Sequence, residues 1–377
     1  MKVQNISLRT NYTNNVIFSG KIIDAHTHIG TFADGLNNTC DKFEARHFNQ
    51  ITSNPINDGH DTLEKVLVSN LNCIDNVSPE MEGKLQEKGL SKTFLNEIDG
   101  NREMLNIANS NPLLKPLAVC QPDKTQNADN IRSILKEGKF YGLKFHPLHM
   151  KLAANDAKYD DYMKVAEKNH LPCLFHCDAS GCQYSSPEQI YELAKRHPKV
   201  PVILAHLGAG EDSHSRAIKV LLDSINNGDA TLYADISWVD CNSAEKNTIT
   251  ETLKKLQNTS KGDMTSHLLF GTDAPIGRFG ADGLYDPAYY GENVKQIKNS
   301  IKNAFGSNGE SISNKLFYDN AEELFFVKNW AKSAKKEFKA KHGIIIAAGM
   351  LAAGVLINTL YKGLKKKPID SNASKIK

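Results

Sequence analysis

The sequence predicts an α/β fold, a closed (β/α)8 TIM barrel followed by a C-terminal hydrophobic helix. Eight short apolar segments alternate with amphipathic segments over residues 21–275. Apolar strands followed by helices are typical of a parallel sheet covered on both faces, and eight such units match a barrel. A doubly wound open sheet is the main alternative, but "HIGTFADG" after the first strand does not match its glycine-rich phosphate turn.

The first predicted strand covers residues 21–28, and an irregular stretch over residues 29–60 follows it. The other seven predicted strands cover residues 65–70, 115–122, 140–147, 171–178, 200–208, 230–237 and 267–275. Helical patterns lie between them, over residues 127–138, 160–170, 186–198, 215–228 and 244–258. Several of these patterns begin at Ser, Asp or Asn and end near Gly or His-Pro, which are helix start and stop signals.

The composition is that of an ordinary globular protein. There are 46 Lys and Arg residues against 43 Asp and Glu, a formal charge of +3. That balance predicts no nucleic-acid partner. Seven cysteines are scattered without a disulfide framework, which favours a reducing compartment. Because the polar N-terminus lacks the apolar core of a signal peptide, the body of the chain is predicted to stay in the cytoplasm.

Ionisable side chains collect at the ends of the predicted strands, where barrels of this kind build their sites. His26 and His28 in "KIIDAHTHIG" are two residues apart, so in a strand they share a face. The full set is His26, His28, Lys144, His146, His176, His206 and Asp273. Any single histidine of this set could be a core residue satisfied by hydrogen bonds. Seven such groups are costly to bury without a joint role, and imidazoles and carboxylates are ligands for zinc and similar metals.

Six motifs extend this pattern along the chain: "IIDAHTHIG", "GLKFHP", "LFHCD", "LAHLG", "FGTDAP" and "FYDNAEELF". In this order they resemble the motifs of the amidohydrolase superfamily. They most resemble its amidohydrolase-related (amidohydrolase 2) branch, the metal-dependent hydrolases that are similar to aminocarboxymuconate-semialdehyde decarboxylase. The resemblance covers about residues 20–328 and implies a TIM barrel of the metal-dependent hydrolase type.

The resemblance also implies a role for each residue of the set. His26, His28, His176 and Asp273 match the ligands of a divalent metal, for which zinc is expected, and Asp273 also handles the proton. His206 matches a histidine that binds a second metal in some members and acts on the substrate in others. Lys144 is either a carboxylated bridging lysine or, like His146 and Arg278, a residue that contacts the substrate or supports the ligands.

Three functions follow as hypotheses. The leading one is a metal-dependent hydrolase that uses a metal-activated water on a C–N or ester bond of a small molecule. A non-oxidative decarboxylase, a carbon–carbon lyase, is the alternative on the same site, and a non-catalytic membrane-tethered binding protein is the third. Arg278, and less strongly Arg102, are candidates to hold a substrate carboxylate, because a guanidinium group binds carboxylates as a fork.

The C-terminal region adds a different prediction. Residues 343–361, "GIIIAAGMLAAGVLINTLY", carry no charge and are long enough for a transmembrane helix. The predicted organisation is a polar extension over residues 1–20, the barrel over 21–328, a basic linker helix over 329–342, the span, and a basic tail over 362–377. This predicts a cytoplasmic catalytic domain anchored to the membrane, with a docked or interfacial helix as the alternative. Small residues four apart in the span would permit a homodimer.

Overall fold

A nine-stranded sheet organises the protein. The computed structural model describes residues 20–34, 39–74, 78–178, 183–209, 211–239, 247–276 and 286–327. The strand order is β2-β1-β3-β4-β5-β6-β7-β8-β9. The strands are β1 Gly20–Asp34, β2 Thr39–Phe43, β3 Asp61–Asn70, β4 Leu114–Val119, β5 Gly142–Phe145, β6 Cys173–Phe175, β7 Pro201–Leu204, β8 Thr231–Asp235 and β9 Leu268–Leu269.

Eight of these strands, β1 and β3–β9, are parallel and follow one another in chain order. Each overlaps one of the eight strands predicted from the sequence. The chain after β9 returns to β1: the Ala25 amide donates to the Phe270 carbonyl at 2.9 Å, and the Asp273 amide donates to the His26 carbonyl at 2.7 Å. The sheet therefore curls until its last parallel strand meets its first, which brings Asp273 beside His26.

Helices cover the outside of the sheet. They are α1 Ala45–Ser53, α2 Pro79–Glu87, α3 Glu97–Ser110, α4 Asp129–Glu137, α5 Pro147–Met150, α6 Tyr159–Asn169, α7 Pro187–Arg196, α8 Glu211–Asn227, α9 Thr248–Gln257, α10 Pro287–Phe305 and α11 Gly309–Asn314, with π-helical turns at Lys315–Asp319 and Glu322–Val327. The five helices predicted from the sequence are α4, α6, α7, α8 and α9. At α7 the Ser186 hydroxyl accepts from the Gln189 amide, and Gln189 caps Ser186 in return.

The stretch over residues 29–60 is more regular than predicted. It contains the end of β1, the antiparallel strand β2 and helix α1. The buried side chains Phe43 and Phe48 pack edge to face, with ring centroids 5.1 Å apart. These aromatic anchors are widely spaced among Asn, Thr and Gly, so neither strand nor helix periodicity is visible in the sequence.

The core has two layers. Side chains between the sheet and the helices form the outer layer, for example Val66 and Val68 of β3. Leu67, which lies between them in the chain, belongs to the inner layer, as strand alternation requires. The inner layer consists of Ile23, Ala25, Leu67, Leu117, Leu174, Ile203, Ala205, Tyr233 and Leu269, joined by Ala321, Leu324 and Phe325 from the end of the described chain.

The prediction of a membrane-anchored chain is corrected by the structure. Within the described residues, no helix has the length and apolarity that a membrane crossing requires. The chain divides into two compact units, residues 1–326 and 327–377, and the second is described only at Val327. The predicted linker helix, span and tail therefore lie outside the described residues, as does the predicted extension up to residue 19.

Candidate metal centre

Six of the seven ionisable residues predicted at the strand ends line one cavity, and the seventh, His26, is buried in contact with Lys144 and Asp273 of its wall. The volume of the cavity is about 520 Å³, within the range of small-molecule sites. One part of the wall is polar and contains His28, Lys144, His146, His149, His176, Asp178, His206 and Asp273. The other part is mostly apolar and contains Phe32, Leu71, Ile74, Leu148, Trp238 and Ile276.

The centre of the polar wall is a cluster of His26, His206 and Asp273. One possible ligand atom from each lies within 4.8 Å of the others. His26 is fully buried, and its Nε2 lies 3.1 Å from Oδ1 of Asp273. Its ring lies 5.0 Å from the His206 ring, centroid to centroid. Two imidazoles and a carboxylate thus converge from three different strand ends.

His28 and His176 each contact one member of this cluster. Nε2 of His28 lies 2.8 Å from Oδ1 of Asp273, and its Nδ1 lies 2.8 Å from the Ser69 hydroxyl. Nδ1 of His176 lies 3.2 Å from Nε2 of His206. The Nε2 atom of His176 is buried and has no hydrogen-bond partner in the described part of the chain. All four predicted metal ligands and His206 are therefore neighbours.

Lys144 and His146 occupy the adjoining wall, at the end of β5. Lys144 is 1% exposed, and its Nζ lies 2.7 Å from Nε2 of His26. The rings of His146 and His176 stack with centroids 4.0 Å apart and 10° between their planes. His146 also precedes the short helix α5, where its Nδ1 faces the His149 amide at 3.5 Å. Lys144 is thus close to the cluster, whereas His146 supports it by stacking on His176.

Sequence reasoning missed Asp235, at the end of β8, which holds two of the histidines. Its Oδ2 lies 3.0 Å from Nδ1 of His26, and its Oδ1 accepts the His206 amide at 3.1 Å. The same Oδ1 accepts both the amide and the hydroxyl of Ser237. A signal was present in the sequence, because Asp235 is an ionisable residue at a predicted strand end, like the seven that were chosen.

Backbone strain is concentrated around the cavity. Nine non-glycine residues in the described ranges have positive φ angles. Four of them line the cavity: His206, Ala209, Trp238 and Asp273. The φ angles of His206, Trp238 and Asp273 are 61°, 66° and 59°. The backbone of non-glycine residues rarely adopts this left-handed region, and such strain is typically found at functional sites.

Burial sets the protonation states of the site. It lowers the pKa of His28 to about 3 and that of His206 to about 4, and it holds the pKa values of His146 and His176 well below the usual range. Burial alone would raise the pKa of Asp273, but the neighbouring His26 and His206 outweigh it and keep that pKa low. Burial therefore favours the neutral imidazole at His28, His146, His176 and His206, while Asp273 is ionised at neutral pH.

This donor set fits a divalent metal. Metal ligands must be deprotonated, and the pKa shifts of His28, His176 and Asp273 favour that state. Zinc binds such nitrogen and oxygen atoms at about 2.0–2.2 Å, so two donors on one tetrahedral ion lie roughly 3.3 Å apart. The pairs His26–Asp273, His28–Asp273 and His176–His206 are separated by 3.1, 2.8 and 3.2 Å. The unpartnered Nε2 of His176 shows in addition that the polar wall is not satisfied by the protein alone.

Of the two predicted arginines, only Arg102 lies in the described residues, and it does not line the cavity. Arg102 is exposed on α3 and forms a fork with Glu137, with nitrogen-to-oxygen distances of 2.8 and 2.7 Å. That ion pair explains the residue as a surface contact between α3 and α4, so its predicted role as a substrate anchor is wrong. Arg278 lies outside the described residues.

The sequence of the barrel identifies the family of the chain. A family model with the description Amidohydrolase (Amidohydro_2) matches residues 104–327, more than half of the chain, and the chain belongs to this family. The resemblance inferred from the motifs is thereby confirmed. The matched region includes Lys144, His176, His206 and Asp273, whereas His26 and His28 precede it. No protein with curated function matches the sequence.

Solved structures give the same fold at low identity. A probable 2-pyrone-4,6-dicarboxylic acid hydrolase from Acinetobacter baumannii, with citric acid bound, is 16% identical with a TM-score of 0.52, over 81% of this chain and 98% of that one. An amidohydrolase from Burkholderia multivorans is 12% identical with a TM-score of 0.51, over the same shares. A 5-carboxyvanillate decarboxylase from Sphingomonas paucimobilis has a TM-score of 0.46 at 13% identity, over 81% of this chain and 98% of that one. The first two likenesses bear on the fold and not on the reaction.

Proposed function

We propose that the protein is a divalent-metal-dependent hydrolase that acts on a C–N or ester bond of a small molecule. The observation that carries this proposal is the convergence of His26, His206 and Asp273 at the floor of one cavity, with His28 and His176 in contact with them. A binding protein without catalysis has no need of so many deprotonated donors beside an open cavity.

In this proposal His26, His28, His176 and Asp273 hold the metal. The metal, for which zinc is expected, would act as a Lewis acid and lower the pKa of a bound water to about 7. The Asp235 carboxylate keeps the proton of His26 on Nδ1, so that Nε2 carries the lone pair, which Lys144 contacts in the absence of a metal. Ser69 constrains His28 in a similar way through its Nδ1.

The remaining polar groups of the wall act on the substrate. Asp273 accepts a proton during attack and returns it to the leaving group, which suits its ionised state. His206 faces the cavity from a ring fixed by the Ser237 hydroxyl at 2.8 Å and would bind the substrate oxygen on which negative charge develops. Lys144, whose pKa burial lowers to about 8, would pair with an anionic oxygen of the substrate.

The apolar wall limits the substrate in size and kind. Phe32, Leu71, Ile74 and Ile276 line the same cavity as the donors. Their packing excludes water from one face of a bound molecule, and a cavity of about 520 Å³ accepts a small molecule rather than a polymer. The proposed substrate is therefore a small compound with an apolar body and a polar, hydrolysable end.

A two-part experiment tests this function. Metal-free protein is reconstituted with Zn²⁺, and the product is screened on amide, ester and lactone libraries in parallel with a carbon dioxide release assay. Metal-dependent hydrolysis that is lost in Asp273→Asn supports the proposal. Carbon dioxide release without hydrolysis would assign a decarboxylase on the same donors, and metal binding without turnover would assign a binding protein. Failure to bind any divalent metal would refute both enzyme functions.

A further inference from the structure

Trp238 stands at an unusual position in the site. It follows β8 by three residues and lines the cavity. It is 39% exposed and is one of only two exposed large hydrophobic side chains in the described ranges. Its φ angle of 66° places a bulky residue in the left-handed region. Its ring stands edge-on to His206, with centroids 6.1 Å apart and 65° between the planes. Burial of apolar surface is thus a poor explanation for a strained tryptophan here.

The polar end of the side chain explains the position better. The indole Nε1 donates to Oδ2 of Asp273 at 2.7 Å. The other oxygen, Oδ1, lies 2.8 Å from Nε2 of His28 and 3.1 Å from Nε2 of His26. The two oxygens of one carboxylate are therefore assigned to different partners, one to the indole and one to the imidazoles.

We propose that Trp238 is a positioning residue for Asp273, which it orients so that only Oδ1 is offered to a divalent cation. This inference rests on the proposed function, because it assumes that Asp273 is a metal ligand. A carboxylate turns about two side-chain bonds, and a neutral donor on Oδ2 removes that freedom before the cation arrives. Groups that hydrogen-bond to ligating carboxylates typically contribute to metal affinity in this way.

The segment around Trp238 is built to hold the indole in place. Asp235 fixes Ser237 through its amide and hydroxyl, and Ser237 in turn lies 2.8 Å from Nδ1 of His206. Trp238 is the next residue, so its backbone is set by groups that also set the histidines. Asp235, Ser237 and Trp238 thus contact His26, His206 and Asp273, respectively.

The experiment uses the fact that the chain has only two tryptophans, Trp238 and Trp330. In Trp330→Phe the sole remaining indole is Trp238, and in Trp238→Phe the aromatic ring is kept while the N–H donor is lost. Metal-free forms of both variants and of the wild-type chain are titrated with Zn²⁺ alone. Equilibrium dialysis gives the dissociation constants, and tryptophan emission is followed in Trp330→Phe.

The proposal predicts that Trp238→Phe binds Zn²⁺ about 10- to 100-fold more weakly than wild type, while Trp330→Phe binds it equally well. The emission of Trp238 should change with zinc and saturate at the dissociation constant found by dialysis, because its acceptor becomes a ligand. A merely structural tryptophan would not respond in this way. Metal-free Trp238→Phe should unfold at the temperature of metal-free wild type.

Two results overturn the proposal and leave the proposed function intact: equal zinc affinity of Trp238→Phe and wild type, or emission of Trp238 that does not change at zinc saturation. If metal-free Trp238→Phe is destabilised, its zinc affinity is set aside, and the emission titration of Trp330→Phe alone tests the proposal. If the wild-type chain binds no divalent metal, the proposed function falls, and this proposal falls with it.

Discussion

Replacing Asp235 with asparagine should strongly lower the metal affinity of the site, although Asp235 is not itself a proposed ligand. Oδ1 of Asp235 accepts three hydrogen bonds, from the His206 amide and from the amide and hydroxyl of Ser237. An asparagine must keep its oxygen at that position, because both backbone groups are obligate donors. Its amide NH₂ then occupies the place of Oδ2, which lies 3.0 Å from Nδ1 of His26.

Replacing the acceptor Oδ2 by a donor NH₂ changes which ring nitrogen of His26 carries the proton. With a donor facing Nδ1, the imidazole must accept there and carry its proton on Nε2. A protonated Nε2 has no lone pair for a metal. Loss of an outer partner of a ligating histidine typically lowers metal affinity about 10- to 100-fold, and the forced tautomer places Asp235→Asn at the upper end, about 2.7 kcal/mol.

The assay is equilibrium dialysis of metal-free protein against buffered Zn²⁺, with bound zinc measured by mass spectrometry. Asp129→Asn is the matched control, because Asp129 lies at the start of α4 and pairs with exposed Arg132 at 2.8 Å. The control should bind zinc as wild type does. If Asp235→Asn also keeps wild-type affinity, the assignment of His26 Nε2 as a ligand oriented by Asp235 is refuted.

Two further predictions concern buried charges. Lys144→Met should keep one bound zinc per chain and bind it more tightly, because it removes a cationic group 2.7 Å from Nε2 of His26; a fall from two zinc ions to one would instead identify Lys144 as a carboxylated bridge. Burial raises the pKa of Glu97 from 4.5 to about 7. The folded state therefore favours the protonated carboxyl, and the free energy of unfolding of wild type falls as the pH rises from 4.5 to about 7. Glu97→Gln should therefore gain stability relative to wild type over that interval, by up to about 3 kcal/mol in denaturant titrations, and a difference that does not vary with pH would contradict this.

Much of the site was predictable because strand ends in a parallel barrel converge. His28, Lys144, His176 and Asp273 each follow an apolar run, and the fold brings them to one cavity. The contacts among them were not predictable in the same way. Nε2 of His26 lies close to both Lys144 and Asp273, and these contacts depend on distances between strands that are far apart in the sequence.

The missed features have physical reasons of their own. Asp235 ends its strand as the chosen residues do, but as a supporting group it shows its role only through its contacts with His26 and His206. Strand β2 and helix α1 were read as irregular because their buried positions, such as Phe43 and Phe48, are isolated among polar residues. The helix predicted over residues 343–361 rested on apolarity and length; that segment lies outside the described residues, and within them no helix is long and apolar enough to cross a membrane.

Zinc stoichiometry tests the central claim most directly. Wild-type protein and Asp273→Asn are stripped of metal, dialysed against buffered Zn²⁺, and analysed for bound zinc per chain. If His26, His28, His176 and Asp273 form a metal centre, wild type takes up at least one equivalent and Asp273→Asn, which lacks the carboxylate between His26 and His28, keeps less than roughly a tenth of that affinity. A wild-type chain that binds no zinc or other divalent metal, or an Asp273→Asn chain that binds it as tightly as wild type, would contradict the account.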